Sequence, residues 1–341
     1  MTDQSERTDH TARRHAADDV PSAAPARAAI PRLAGGLLML AGGVFVPGVA
    51  APQDQELMTP SDLRELALPA GIVHRVPYGE ASPLQFGHLR LPQRAHGHDP
   101  TGPFPVALLV HGGCWLSQYE ISHLAALEMA LAEDGFAVWS LEYRRVGDEG
   151  GGWPGTFLDV AEGADHLRQL SRRHPLDLSR VIAVGHSAGG QLALWLAARD
   201  QIPEGSELHR DDPLPIHGVL ALAAAPDLAA HHAAGTCGGV VDALMGGSPE
   251  QHPERYAAAS PMQLRPKGVP QVLVGGNLDR GFGRDAFAYH DGATDPSEVL
   301  LRELPGAGHF ELIAPRTEAG MEVRRELAAL LGRLGRATAG E

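Results

Sequence analysis

The 341-residue chain is predicted to fold as an α/β protein, with one mostly parallel sheet covered by helices on both faces and a small cap insertion. Three observations predict this. Short continuous apolar runs recur along the chain, as expected of strands buried on both faces. They alternate with amphipathic segments of helical period. Several of the runs end in glycine-rich turns, where a strand hands over to a helix.

Each element can be justified in order. "PVALLVHGG" (105–113) is a buried apolar run ending in glycines, and "SHLAALEMALAEDG" (122–135) has helical periodicity that stops at Gly135. "FAVWSLEYR" (136–144) reads as a strand and "TFLDVAEGADHLRQLSRR" (156–173) as a helix. "RVIAVGHS" (180–187) is a strand running directly into the helix "AGGQLALWLAARD" (188–200). "HGVLALAAAP" (217–226) and "PQVLVGGN" (270–277) are further buried runs. "EVLLRELPGAGH" (298–309) is a strand followed by a tight turn, and "RTEAGMEVRRELAALLGRL" (316–334) a closing helix. Residues 227–266, rich in His, Gly and Pro, interrupt the alternation with weak helical pieces. An insertion there lies beyond the carboxyl end of a strand, where open α/β sheets place ligands, and reads as a cap.

The first 57 residues differ from the 58–341 body. A polar, Ala-rich leader is followed, right after Arg32, by the apolar run "LAGGLLMLAGGVFVPGVA" and small residues. That pattern is expected of an export signal, placing the protein in a periplasmic or extracellular compartment. A single membrane anchor and a start at Met58, leaving a cytoplasmic enzyme, are the alternatives; any membrane contact runs through this segment alone.

Composition excludes several classes. Hydrophobic residues make up 43% and charged residues 21%, with a mean hydropathy of −0.14, so this is no polytopic membrane protein. The net charge of −14 argues against a nucleic-acid partner. Lys267 is the single lysine, which sets Schiff-base chemistry aside. Cys114 and Cys237 are too few for a disulfide scaffold or a CxxC site, although a bridge between them stays open in an exported protein. The sequence holds no HExxH motif, and neither metal nor cofactor is expected. Oligomeric state is not legible.

The strongest chemical signal is Gly185-His186-Ser187-Ala188-Gly189, a G-x-S-x-G placed between strand and helix. A sharp turn there exposes the serine oxygen at a helix N-terminus, and the flanking glycines leave room for neighbouring backbone. A serine needs a base, and the base an orienting acid, in the order acid then histidine. Asp279 follows a buried strand by a short loop, with Asp285 as fallback; His309 sits in a glycine-rich turn before the last helix. His290 comes too soon and falls on a surface helix, and the other histidines, His186 included, read as structural or exposed. A tetrahedral intermediate also needs backbone donors for its oxyanion. "HGGCW" (111–115) stands in position to supply them together with Ala188, with His111 holding the loop by hydrogen bonds. Cys114 is expected to contribute its N–H rather than its sulfur, so that Cys114→Ala retains substantial activity. Trp153, in the loop 146–155, either lines an approach to the site or packs under its loop.

These residues together resemble the α/β-hydrolase superfamily over about residues 75–335. The HGGxW form is similar to its esterase branches, the kynurenine formamidases and the bacterial feruloyl/acetyl-xylan esterase-like proteins. The resemblance implies Ser187 as nucleophile, Asp279 as orienting acid and His309 as general base. It implies Gly113, Cys114 and Ala188 as oxyanion donors and Trp115 at the wall of an acyl pocket. Cys114 stands where formamidases more often carry Tyr or Phe, which favours small carboxylic esters over amides. An arylformamidase-type amidase and a non-catalytic binding protein on the same fold are the competing readings.

Overall fold

The computed structural model describes residues 56–66, 73–92, 102–293 and 295–337. The proposed signal segment lies outside them. Eight strands form one sheet: β1 (His74–Pro77), β2 (Phe86–Arg90), β3 (Phe104–Val110), β4 (Ala137–Leu141), β5 (Leu176–His186), β6 (Gly218–Leu222), β7 (Gln271–Gly276) and β8 (Val299–Leu304). Their order is β1-β2-β4-β3-β5-β6-β7-β8. β1–β2 and β2–β4 are antiparallel and all other pairs parallel.

Among the described residues the helices are α1 (Pro60–Glu65), α2 (Ala125–Glu133), α3 (Gly155–Asp165), α4 (Leu167–Leu170), α5 (Ala188–Leu196), α6 (Leu228–Ala233), α7 (Thr236–Met245), α8 (Pro253–Ala259), α9 (Gly283–Asp291) and α10 (Glu318–Ala337). Helices cover both sheet faces. Along β3, Val106, Leu108 and Val110 join one buried cluster with Leu192 and Trp195 of α5. Ala107 and Leu109, pointing the other way, join Leu127 of α2 and Val323, Leu327 and Leu330 of α10. This two-sided burial is why the strands read as unbroken apolar runs.

Three details depart from the sequence reading. β1 and β2 have no counterpart in it: β1 is largely exposed and β2 only half-buried, so neither carries an apolar run. The 156–173 helix divides into α3 and α4 at His166. β5 begins at Leu176, ahead of the apolar core of the run. The segment between β6 and β7 is helical, carrying α6, α7 and α8, and Val241, Leu244, Met245 and Tyr256 anchor it in the main core. No described helix is long and apolar enough to cross a membrane.

Candidate active site

β5, β7 and β8 run in the same direction, so the turns leaving their carboxyl ends gather on one edge of the sheet. Ser187 occupies the turn from β5 into α5 at φ 56° and ψ −120°, a conformation that costs a non-glycine residue energy and clusters at functional sites. The flanking glycines are sterically required. A Cβ on Gly185 would lie 2.0 Å from the Gly189 oxygen, and one on Gly189 2.1 Å from the Val110 oxygen. Ser187 N–H donates to Leu222 O at 2.8 Å, fastening the turn to β6.

Asp279 follows β7 by two residues and His309 follows β8 by four, and the two loops are stitched together. Leu278 N–H donates to Ala307 O at 2.9 Å and Gly306 N–H to Asn277 Oδ1 at 2.8 Å. His309 Nδ1 lies 2.6 Å from Asp279 Oδ2. Asp279 Oδ1 accepts the N–H groups of Gly281 and Phe282. Burial works against a charged Asp279, but the His309 bond and charge together with these amides hold its pKa below the usual carboxylate value. With Nδ1–H given to the carboxylate, Nε2 is left as the accepting nitrogen. Among the described residues no hydrogen bond joins Ser187 Oγ to His309, a looseness common before substrate binds.

Asp285 does not reach His309. It lies in α9, 2.8 Å from Nε2 of buried His231 in α6. His290 falls in the same helix, half-buried beside Asp291.

The HGGCW loop lies against the serine turn. A Cβ on Gly112 would come within 2.5 Å of His186 O and 3.0 Å of Ser187 Cβ. Gly113, Cys114 and Trp115 take φ values of 105°, 55° and 53°. His111 is buried, with Nδ1 2.8 Å from Gly112 O and Nε2 3.0 Å from Glu142 Oε1. Burial alone would raise the Glu142 pKa; His111, Arg145 and the Ile121 N–H bring it below the usual value. Trp115 is 1% exposed and its indole N–H donates to Gln191 Oε1 at 3.1 Å, so the ring packs beneath the loop. Among the described residues the N–H groups of Gly113, Cys114 and Ala188 donate to no protein acceptor. Trp153 rests against Phe157 and gives its indole N–H to Glu207 Oε1 at 2.9 Å.

The sequence left two features open. His186 is fully buried; its Nε2 lies 3.0 Å from His309 O and its Nδ1 3.1 Å from His123 Nε2. Its place beside the serine was the only available signal, since the partner lies 123 residues away. Second, Cys114 and Cys237 are joined as a disulfide. No group of three or more His, Cys, Asp or Glu among the described residues is placed to hold a metal ion.

Sheet order, serine turn and the paired Asp279 and His309 define an α/β-hydrolase. The family model described as BD-FAE matches residues 95–282, more than half of the chain, and the chain belongs to that family. Esterase LipC of Mycobacterium tuberculosis (strain ATCC 25618 / H37Rv) is 29% identical over 226 residues, 63% of this chain and 55% of LipC, so the chain spans little more than half of that relative. Esterase B of Lactobacillus rhamnosis, solved with a tributyrin phosphonate inhibitor, superposes with a TM-score of 0.68 at 19% identity, covering 83% of this chain and 94% of that one. Est2 of Thermogutta terrifontis, solved with propionate bound, gives 0.62 at 16% identity over 77% and 94%.

Proposed function

We propose that the protein is a serine hydrolase of small carboxylic esters acting through an acyl-enzyme. The observation that carries the reading is the 2.6 Å His309–Asp279 bond, formed on loops stitched together beside a serine held at positive φ. In this mechanism Ser187 Oγ attacks the ester carbonyl while His309 Nε2 takes its proton. Asp279 fixes the imidazole tautomer and stabilises the imidazolium. The unpaired amides of Gly113, Cys114 and Ala188 receive the negative oxygen. His309 then protonates the departing alcohol, and water, activated by the same base, hydrolyses the acyl-serine. The esterase relatives support ester over amide substrates, and the two ligand-bound neighbours support short acyl groups. The apolar run after Arg32 supports export, as does the disulfide, which persists best in oxidising compartments.

The test is fluorophosphonate labelling followed by a panel of acetyl, butyryl, feruloyl and formyl-anilide substrates. Short-chain esters are expected to be hydrolysed, with label on Ser187. Ser187→Ala should lose labelling and at least ~10³-fold in kcat. Hydrolysis of the formyl anilide alone would move the assignment to the amidase class; full activity in Ser187→Ala would remove serine chemistry altogether.

A further inference from the structure

Cys114 is the least anchored residue of its loop. His111 is tied to Glu142, Trp115 gives its indole N–H to Gln191, and Trp115 O accepts from Val146 N–H at 2.8 Å. Among the described residues neither the N–H nor the C=O of Cys114 makes a hydrogen bond. Its backbone nonetheless stands at φ 55°, between Gly113 and Trp115, both also at positive φ. What ties Cys114 to another element is its sulfur, bonded to Cys237, with 6.0 Å between the Cα atoms.

The other end of the bridge is shaped to reach it. Cys237, Gly238 and Gly239 open α7 with φ values of 53°, 74° and 82°, a left-handed run that only glycine adopts freely. That run is clamped on both sides. Ahead of it, Thr236 Oγ1 lies 3.0 Å from His231 Nδ1, and His231 lies 2.8 Å from Asp285 in the helix that follows Asp279. Behind it, Val240 and Val241 are buried in the core. The bridge thus couples a loosely held loop residue to a fixed segment 123 residues away.

We infer that Cys237 is a positioning residue, acting through the disulfide to hold the Cys114 N–H where it serves the oxyanion, and that thiol reduction therefore slows acyl transfer. The inference rests on the serine-hydrolase reading. Both cysteine residues are half-buried rather than fully buried, so a small dithiol is the reductant to use. One dithiol thiolate attacks a sulfur of the bridge, and the second thiol displaces the mixed disulfide. Two electrons and two protons pass to the cysteines, and the dithiol becomes a cyclic disulfide.

The experiment compares oxidised protein, the same protein reduced with dithiothreitol, and the variants Cys114→Ala, Cys237→Ser and Cys114→Ala/Cys237→Ser. It uses a short-chain nitrophenyl ester well below every form's melting temperature, with bridge status read by alkylation and mass spectrometry. Complete loss of an oxyanion donor costs about 10²–10³-fold in kcat, so loss of its tether is expected to cost roughly tenfold. KM should stay within about twofold, and the double variant should be no worse than either single one, because one bond is lost each time. Reoxidation should restore the reduced enzyme. Unchanged kcat in reduced protein and Cys237→Ser, with the bridge verified absent, overturns the inference. So does a fall that only follows the unfolded fraction, or a purified enzyme with two free thiols and full activity. Should Cys114→Ala fail to fold, reduced wild type and Cys237→Ser carry the comparison. If the oxidised protein neither hydrolyses esters nor takes fluorophosphonate, the serine-hydrolase reading itself has failed, and the inference falls with it.

Discussion

His309 O can only accept, so His186 must present Nε2–H to it, and His186 Nδ1 must then accept from His123 Nε2–H. Both rings are thereby fixed as neutral tautomers in a line that ends on the backbone of the proposed base. Burial pushes His123 down to about 3, with the charges of His111 and His309 adding to it. Burial likewise takes His186 well below its ordinary value, with His309 and His123 contributing. The consequence for stability has a definite sign. Unfolded, both imidazoles titrate near 6.5; folded, they refuse the proton until much lower pH. The unfolded chain binds more protons below that point, so stability is full above about pH 6.5 and is lost as pH falls from there toward 3. Melting curves from pH 7 to 4 should show a steeper decline for wild type than for His123→Phe. His186→Phe, which deletes the line at its centre, should lower kcat roughly tenfold through misplacement of His309 while KM changes little. Unaltered kcat in that variant would reduce His186 to a packing residue.

At the scale of the elements, the β5–α5 turn has little steric tolerance. Gly185→Ala or Gly189→Ala drives a Cβ to about 2 Å from main-chain oxygens, and backbone cannot swing aside as a side chain can. Each is expected to destabilise by about 3 kcal/mol or to prevent soluble expression, measured by urea unfolding. The same locality made this turn readable, because strand, glycines, serine and helix are contiguous. Asp279 and His309 were proposed from the order in which an acid and then a histidine must follow the serine, each in a loop after a strand-like run. The strands β1 and β2 were not, since their half-exposed residues carry no run of apolar side chains. The His186 line was beyond sequence reasoning and the Cys114–Cys237 bond could only be left open, because each joins segments more than a hundred residues apart. The sequence permitted the bond, and only the folded arrangement of α7 against the HGGCW loop made it.

For the molecule as a whole, the proposed export through the N-terminal apolar run predicts that N-terminal sequencing of the mature form begins shortly after Ala51. The first described residues nonetheless take part in the body of the fold. Met58 N–H donates to Glu311 Oε1 at 2.5 Å, while Glu311 Oε2 accepts from Gly308 N–H at 3.0 Å, one residue before His309. Beside this contact, α1 and the loop bearing Tyr119 and His123 enclose a cavity of about 250 Å³. A single carboxylate therefore splices the chain's entry into the sheet to the loop that carries His309. In a chain with residues ahead of Met58 that nitrogen is a neutral amide. In a chain started at Met58, with its amine free, it is an ammonium facing a buried carboxylate. Its pKa would then rise above the ordinary 7.7–8.0, and the added stability would be fully present below that range and lost as pH climbs from there through the raised value. Melting temperatures of the two forms between pH 7 and 10 should accordingly converge at the alkaline end. The position of the first peptide bond, usually a matter of expression vectors, becomes an electrostatic variable of the His309 loop.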